Sequence, residues 1–463
     1  MIAPFHFKKL KKRLLITNDL GQYDFLTPEE FEKFSNNRLE KEEPLYQRLE
    51  EERFVYDTSP EKFAEDVKME LRSGKSYLFS ATSLHIFVVT NFCNGCCVYC
   101  QAQSKKENAC KKMSFETAEK AVDLALQSPQ RELTFEFQGG EPLSNFPVIR
   151  HIVEYAQKKA KEKEKKVHYS IVSNLSLLTE EMLAFLKEHE ISISTSLDGN
   201  HSVHASNRPL ADGRDSYEVL REKLKLLEEQ QVSYGAIQTT TRKSLSCSQE
   251  IVEEYVFLGM HNVFLRPLTP LGYALERWSE IGYTTEEFLD FYRKSLEYLL
   301  ELNKDGISIK EGHAVIFLTK IFDHYGVNYM ELRSPCGAAI GQMAYYYDGN
   351  VFTCDEGRML YEMGDASFKI GNVETDTYDT LMNSRLCRMV CKCSILESLP
   401  KCCDCAYLPY CGTCPVLNYA LEKDLVSRKS HSYRCRIYEG MLDILFELLM
   451  EEDNREILRS WVE

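Results

Sequence analysis

The sequence predicts an α/β protein built on a parallel sheet, with a small module ahead of the sheet and a cysteine-rich segment behind it. Two observations carry this. Six apolar, β-rich runs lie between residues 84 and 268, separated by amphipathic helical segments, with strand starts roughly 25–50 residues apart. That rhythm makes βα units, and βα units make parallel sheets. The 17 cysteines are unevenly placed, four in 93–100 and eleven in 336–435.

Residues 1–75 read as a separate module. "RLLITND" and "QYDFLTPEEF" form two strands around a turn, the second running into a helix capped by Thr27 with Pro28 at its first position. Charged helical segments follow near 43–53 and 60–72. Two readings stay open: a decoration packed on the main domain, or a winged-helix-like unit whose strand edge pairs with a peptide.

The six predicted strands are "LHIFVVT" (84–90), "LTFEFQ" (133–138), "VHYSIVS" (167–173), "ISISTSL" (191–197), "VSYGAIQTT" (232–240) and "NVFLRPL" (262–268). Helices are expected near 114–127, 147–163, 179–189, 215–230 and 248–258. Parallel sheets carry their chemistry at the C-terminal ends of the strands, so the cysteines directly after the first strand are well placed for it. Residues 285–330 read as helical, 336–435 as cysteine-rich and loop-like, and "YEGMLDILFELLMEE" (438–452) as an amphipathic helix packed back on the body.

Composition excludes several classes. Of the 463 residues 44% are hydrophobic, enough for a large core. A net charge of −15 argues against broad nucleic-acid binding. No run of about 18 apolar residues spans a membrane, and the N-terminus lacks the order of a signal peptide, so the chain reads as cytoplasmic. In a reducing compartment clustered cysteines are metal or cluster ligands rather than disulfides.

Cys93, Cys97 and Cys100 form C-x3-C-x2-C. Zinc favours four ligands, commonly as two C-x2-C pairs, and only one such pair is near. Three thiolates on one loop suit a 4Fe–4S cluster with an open iron. Zinc remains the alternative on spacing alone.

The strand "LHIFVVT" followed by "NFCNGCCVYCQ" resembles the signature of the radical S-adenosylmethionine (radical SAM) superfamily, with Tyr99 at the usual aromatic position. The resemblance implies a partial (β/α)6 TIM-like barrel over 80–310. It implies a 4Fe–4S cluster whose open iron chelates S-adenosyl-L-methionine, and reductive cleavage to a 5′-deoxyadenosyl radical that abstracts a substrate hydrogen. Cys96 matches no ligand position. "FQGGEPL" (137–143) resembles the element that binds the cofactor's amino group, making Gln138, Gly139, Gly140 and Glu141 cofactor-binding candidates. Asn174 stands where the family often has a cofactor contact. "TSLDGNHSVHASNR" (195–208) resembles the S-x-D-G…H…R segment of peptide-modifying members, which implies Ser196 and Arg208 for the cofactor's carboxylate. The family's Pro after DG and Asp after His are Asn200 and Ala205 here.

The later cysteines resemble a SPASM domain over 330–435, followed by a C-terminal helical segment at 436–463. Cys336 and Cys354 bracket Gly349 as C-x12-G-x4-C, and Cys402, Cys405 and Cys411 give C-x2-C-x5-C, followed by Cys414 and Cys435. The spacer before Cys414 is two residues where the family has three. The resemblance implies two auxiliary 4Fe–4S clusters: an outer one on Cys402, Cys405, Cys411 and Cys435, and an inner one on Cys336, Cys354 and Cys414. The inner set lacks a fourth thiol. Either one iron is open, or Cys387, Cys391 or Cys393 reaches it. Asp355, next to Cys354, matches an acid that acts as a base in anaerobic sulfatase maturases, and is the catalytic candidate. The alternative for Asp355 is a loop-capping role.

The N-terminal "PFHFKKLKKRLLITNDLGQYDFLTPEEF", "CVYCQAQ" and "PYCGTCPV" are similar to His-Xaa-Ser system maturases, a SPASM subgroup. This implies a maturase of a ribosomally made precursor peptide that forms a thioether or carbon–carbon crosslink, supplied by a donor such as flavodoxin or ferredoxin, with no nucleic-acid or membrane partner. Formylglycine generation and a non-enzymatic iron–sulfur or zinc scaffold are the alternatives.

Overall fold

The computed structural model describes residues 1–324, 329–428 and 432–463. Its N-terminal part is a three-stranded antiparallel sheet, β1 (His6–Leu10), β2 (Arg13–Thr17) and β3 (Tyr23–Leu26), in that spatial order. The sequence predicts only the last two, because the lysines of "HFKKL" hide its alternation. In the structure Lys8 reaches inward to Glu439 and Asp443, each at 2.7 Å. Helix Pro28–Ser35 starts on a capping box: the Thr27 hydroxyl accepts from Glu30 N, and the Glu30 carboxylate accepts from Thr27 N. Helices Pro44–Glu51 and Pro60–Gly74 follow, and the module has its own small core of Ile16, Leu26, Phe34, Leu49 and Phe54.

The six predicted strands are all present: β4 (Leu84–Thr90), β5 (Glu132–Gly139), β6 (Lys166–Val172), β7 (Ser192–Ser196), β8 (Tyr234–Thr239) and β9 (Asn262–Arg266). They pair parallel in sequence order as a partial barrel. Along β5 the side chains alternate. Leu133, Phe135 and Phe137 are buried under the helices, where Phe135 meets Phe87 at 4.8 Å between ring centroids. Thr134, Glu136 and Gln138 face the opposite side, the barrel lumen. The five expected helices appear at Phe115–Ala125, Phe146–Glu162, Glu180–Glu188, Ser216–Glu229 and Ser248–Phe257.

The sheet does not stop at six strands. A short β10 (Lys310–Glu311) adds to β9, splitting the predicted 285–330 helical stretch into Thr285–Lys304 and Gly312–Phe322; residues 325–328 of that stretch lie outside the described residues. At the other edge β11 (Gln342–Tyr346) pairs parallel to β4, and β12 (Asn350–Phe352) and β13 (Lys369–Asn372) continue antiparallel, for ten strands in all. The expectation of a loop-like 336–435 is therefore corrected. Its start is a hairpin turning at Asp348–Gly349, where Gly349 has φ +84°, and a D-G step between apolar runs is the signal that marks it. Helices Asp355–Glu362, Arg385–Lys392 and Pro415–Glu422 follow.

The predicted C-terminal helix runs Tyr433–Leu449 and packs on Thr285–Lys304, with Gly440 against Leu289. Its Phe446 joins the three parts of the chain. Tyr23 and Phe25 of β3 meet its edge at 5.3 and 6.2 Å, while Tyr407 and Tyr410 of the cysteine-rich part lie at 5.7 and 5.5 Å. Two buried hydrogen bonds reinforce the junction: Thr17 Oγ1 to Ala406 O at 2.7 Å and Tyr410 Oη to Gly21 O at 2.8 Å. Phe446→Ala should therefore cost about 3–5 kcal/mol, as large aromatic truncations in cores do. The expected result is a lowered thermal midpoint with early proteolytic cleavage between residues 1 and 83; an unchanged midpoint would show that the module is held elsewhere.

Candidate active site

The loop after β4 is pinned from several sides. Asn91 N donates to Lys111 O at 2.9 Å, Cys96 N to Pro209 O at 2.7 Å, Val98 N to Asn207 O at 2.9 Å, and Tyr273 N to Cys100 O at 3.0 Å. The turn after β5 lies directly against it. Gly140 N donates to Thr90 O at 3.0 Å and Glu141 N to Phe92 O at 2.7 Å. A Cβ on Gly139 would stand 2.5 Å from Thr90 O, and one on Gly140 would stand 2.9 Å from Cys93 Cβ and collide with the Phe92 carbonyl. Only glycines let the two strand ends approach this closely.

Glu141 is fully buried and ties β5 to β6. Its carboxylate accepts from Leu143 N at 3.1 Å, Ser173 Oγ at 2.6 Å and Asn174 N at 2.8 Å, and burial pushes its pKa up to about 7. Asn174 Nδ2 donates to Asn94 Oδ1 at 3.2 Å and lies 4.0 Å from Cys93 Sγ. Gly95 sits between the first two thiols: a Cβ there would be 3.5 Å from Cys93 Sγ and 3.8 Å from Cys97 Sγ. Cys93, Cys97 and Cys100 act on one another electrostatically; Cys96, which is exposed, also acts on Cys97. Burial pushes the Cys93 thiol well up and Cys97 to about 11, the Arg208 guanidinium opposing the shift at Cys97.

Arg208 is held for that task. Its Nε donates to Asp198 Oδ1 at 3.0 Å, Nη1 lies 4.0 Å from Cys97 Sγ, and the guanidinium covers the Tyr99 ring at 5.2 Å. Asp198, fully buried, also accepts from Tyr99 Oη at 2.5 Å, Asn207 Nδ2 at 3.1 Å and Thr239 N at 3.2 Å. Sequence reasoning passed over Asp198, although a charged residue between the β7 run and a Gly was its signal. Ser196 ends β7, two residues before it.

The lumen carries charge that the sequence reading also missed. Gln138 Nε2 donates to Glu136 Oε1 at 2.6 Å. Glu136 is influenced by Asp355 and Arg266, so strands β5 and β9 and helix Asp355–Glu362 face a common space. The visible signal was a Glu or Arg inside an otherwise apolar strand, as in "LTFEFQ" and "NVFLRPL". Asp355 accepts from Arg358 Nε at 3.1 Å, and buried Arg358 in turn senses Cys100. The catalytic candidate is thus linked to the first thiol set through one guanidinium.

The later cysteines fall into two groups. Cys411 is influenced by Cys405, Cys435 and Cys402, and these four line a cavity of about 400 Å3 whose wall includes Phe7 and Lys8 of β1. Cys354 is influenced by Cys414 and Cys336, the three lying in one buried cluster. Among the described residues no group of three or more His, Cys, Asp or Glu side chains converges on a single metal ion.

Residues 87–241, from β4 to just beyond β8, match the Radical SAM superfamily model. The chain carries a radical SAM domain. The buried thiols on the β4 loop, with a guanidinium beside them, are a donor set that fits the superfamily's 4Fe–4S cluster, and metal binding would remove the protons that burial holds on the sulfurs. A Cysteine-type anaerobic sulfatase-maturating enzyme of Clostridium perfringens is 23% identical over 385 residues, 80% of this chain and 98% of that one. An uncharacterised protein of Methanocaldococcus jannaschii is 30% identical over 185 residues, and the match spans 40% of this chain and 62% of that relative's length. Among solved structures, native anSMEcpe with bound AdoMet and Cp18Cys peptide has a TM-score of 0.69 at 20% identity, covering 81% of this chain and 99% of that one. Streptococcus suis SuiB bound to precursor peptide SuiA has 0.53 at 14% identity, covering 92% and 98%. No helix among the described residues is long and apolar enough to cross a membrane.

Two outcomes follow from the radical SAM site. Cys97→Ala should lower the iron of the anaerobically reconstituted protein by about four per chain, whereas Cys96→Ala leaves it unchanged, as read by iron and sulfide assay. Gly140→Ala should lose S-adenosylmethionine binding by more than tenfold in equilibrium dialysis, since the added methyl collides with the Phe92 carbonyl and crowds Cys93 Cβ.

Proposed function

We propose that this protein is a radical SAM maturase of the SPASM type that acts on a peptide or protein substrate, abstracting a side-chain hydrogen and forming a crosslink. The observation that carries this reading is the division of the cysteines into three groups: three on the β4 loop, four around the outer cavity and three in the inner cluster. Buried soft sulfur donors in such sets suit 4Fe–4S clusters. When bound, the first cluster and S-adenosylmethionine supply a 5′-deoxyadenosyl radical.

The chain's own residues do the rest. Gly139 and Gly140 bring the β5 end against the cluster loop, and Gln138, Asn174, Ser196 and Arg208 stand around it to orient the cofactor. Glu136, Arg266 and Asp355 make the lumen polar and suit it to a peptide backbone or polar side chain. Asp355 holds a proton-accepting position beside the reacting space, its geometry fixed by Arg358. Residues 1–75 are the module that would hold the precursor, since β1 and β3 both present sheet edges and the module abuts the cysteine-rich part. The flavodoxin- or ferredoxin-type donor belongs to the same reading.

Formylglycine generation is the second reading, favoured by the similarity to the sulfatase-maturating enzyme over most of both chains. Incubation with dithionite and S-adenosylmethionine should release 5′-deoxyadenosine. Asp355→Asn should keep that release while lowering substrate modification by at least tenfold, as read by mass spectrometry of a candidate precursor. Absence of 5′-deoxyadenosine from the wild-type protein would overturn the enzymatic reading, and an aldehyde product without a crosslink would replace the first reading by the second.

A further inference from the structure

Helix Asp355–Glu362 begins at the inner thiol set and ends on the β4 loop. Cys354 is the residue that caps its start. At its other end Glu362 Oε2 accepts from Asn91 Nδ2 at 2.7 Å and from Lys111 Nζ at 3.1 Å, and Tyr346 Oη of β11 donates to Oε1. The next residue grips the far side of the same loop. Met363 Sδ accepts from Gly272 N at 3.2 Å, and a Cβ on Gly272 would stand 2.6 Å from Cys100 O. A helix of about 12 Å therefore joins a thiol of the inner set to both ends of the first cysteine loop.

Asn91 is fully buried, two residues ahead of Cys93, and it closes the loop on itself. Its Oδ1 accepts from Ser104 Oγ at 2.6 Å, and its carbonyl accepts from Asn108 Nδ2 at 3.2 Å. The partner at Glu362 decides which way this amide points. A carboxylate accepts and does not donate, so Nδ2 faces Glu362 and Oδ1 is left for Ser104. Removing the carboxylate takes the acceptor from two buried donors, Asn91 Nδ2 and Tyr346 Oη, and buried donors without acceptors are costly. The first loop is thus shaped by a residue more than 250 positions later, in the cysteine-rich part.

We propose that Glu362 is a positioning residue for the first cluster: it orients Asn91, so that the β4 loop takes its S-adenosylmethionine-binding shape only with the cysteine-rich part docked on it. This rests on the reading that Cys93, Cys97 and Cys100 hold that cluster. The cysteine-rich part then does more than supply its own thiols, because it completes the site on the barrel. Glu362 touches neither cofactor nor substrate in this role and acts through Asn91 alone.

The test uses the full chain and two readouts: amide hydrogen exchange of residues 91–104 in the metal-free protein, and S-adenosylmethionine affinity of the anaerobically reconstituted protein by equilibrium dialysis. Glu362→Ala should speed exchange over 91–104 and weaken S-adenosylmethionine binding by at least tenfold, while keeping the iron content of wild type. Asn91→Asp should do the same, because it sets one carboxylate against another. The double variant Asn91→Asp with Glu362→Gln keeps the size of both side chains and faces an amide with a carboxylate again, donor and acceptor exchanged. It should return both readouts to within about threefold of wild type, a rescue that a general loss of stability would not show. Wild-type exchange or wild-type affinity in Glu362→Ala overturns the assignment, as does a double variant no better than Asn91→Asp alone. Where Glu362→Ala fails to fold, the two size-conserving variants decide by the same criterion. A wild-type protein that takes up iron on its other thiols and binds no S-adenosylmethionine overturns the underlying reading of the first site, and the assignment with it.

Discussion

The site depends on one close approach, that of the β5 turn to the end of β4. Gly139 and Gly140 are in contact with the carbonyls of Thr90 and Phe92, and the turn's amides at Gly140 and Glu141 donate to those same carbonyls. The contact satisfies backbone groups at two strand ends that would otherwise be buried without partners. It also fixes where Cys93 begins. Every other element of the site, from the Glu141 carboxylate to the Asn174 amide, is arranged around a loop whose first ligand this contact positions.

From there order passes strand by strand. Glu141 joins β5 to the residues after β6, and Asn174 joins those residues to Asn94 inside the cysteine loop. Asp198, after β7, gathers Tyr99 from that loop, Arg208 from beyond the next helix and Thr239 from β8. A carboxylate this deeply buried is tolerable only because three neutral donors and a guanidinium surround it. The result is a loop tied, directly or through Asn174 and Asp198, to groups at four successive strand ends, which suits a site whose thiols must stay in place before any metal arrives.

Much of this was legible in the sequence because it is local or periodic. The six central strands follow from alternation and β-branched composition, and the cysteine sets from spacing. What was not legible comes from long-range pairing. β11 joins the barrel by pairing with β4, more than 250 residues earlier, and nothing in "QMAYY" marks it as a further parallel strand. The first strand was masked by lysines whose charges are neutralised by a helix at the far end of the chain. Asp198 was missed for a related reason: a lone acid reads as a solvated residue until the fold shows what encloses it.

The three thiol sets share an electrostatic design that no single motif announces. Each has a basic side chain acting against the rise that burial imposes: Arg208 on Cys97, Arg434 on Cys414, Lys320 on Cys411 and Lys8 on Cys405. Burial still dominates at Cys97, Cys405, Cys411 and Cys414, whose thiols are all pushed up. It also pushes Lys320 down to about 8, so that this amine is poised between its two forms. Once thiolates form on a metal, the same cations face a concentrated negative charge in a medium of low dielectric, where their attraction is strongest. The chain, with a net charge of −15, has nonetheless placed buried and half-buried cations beside its sulfur sets.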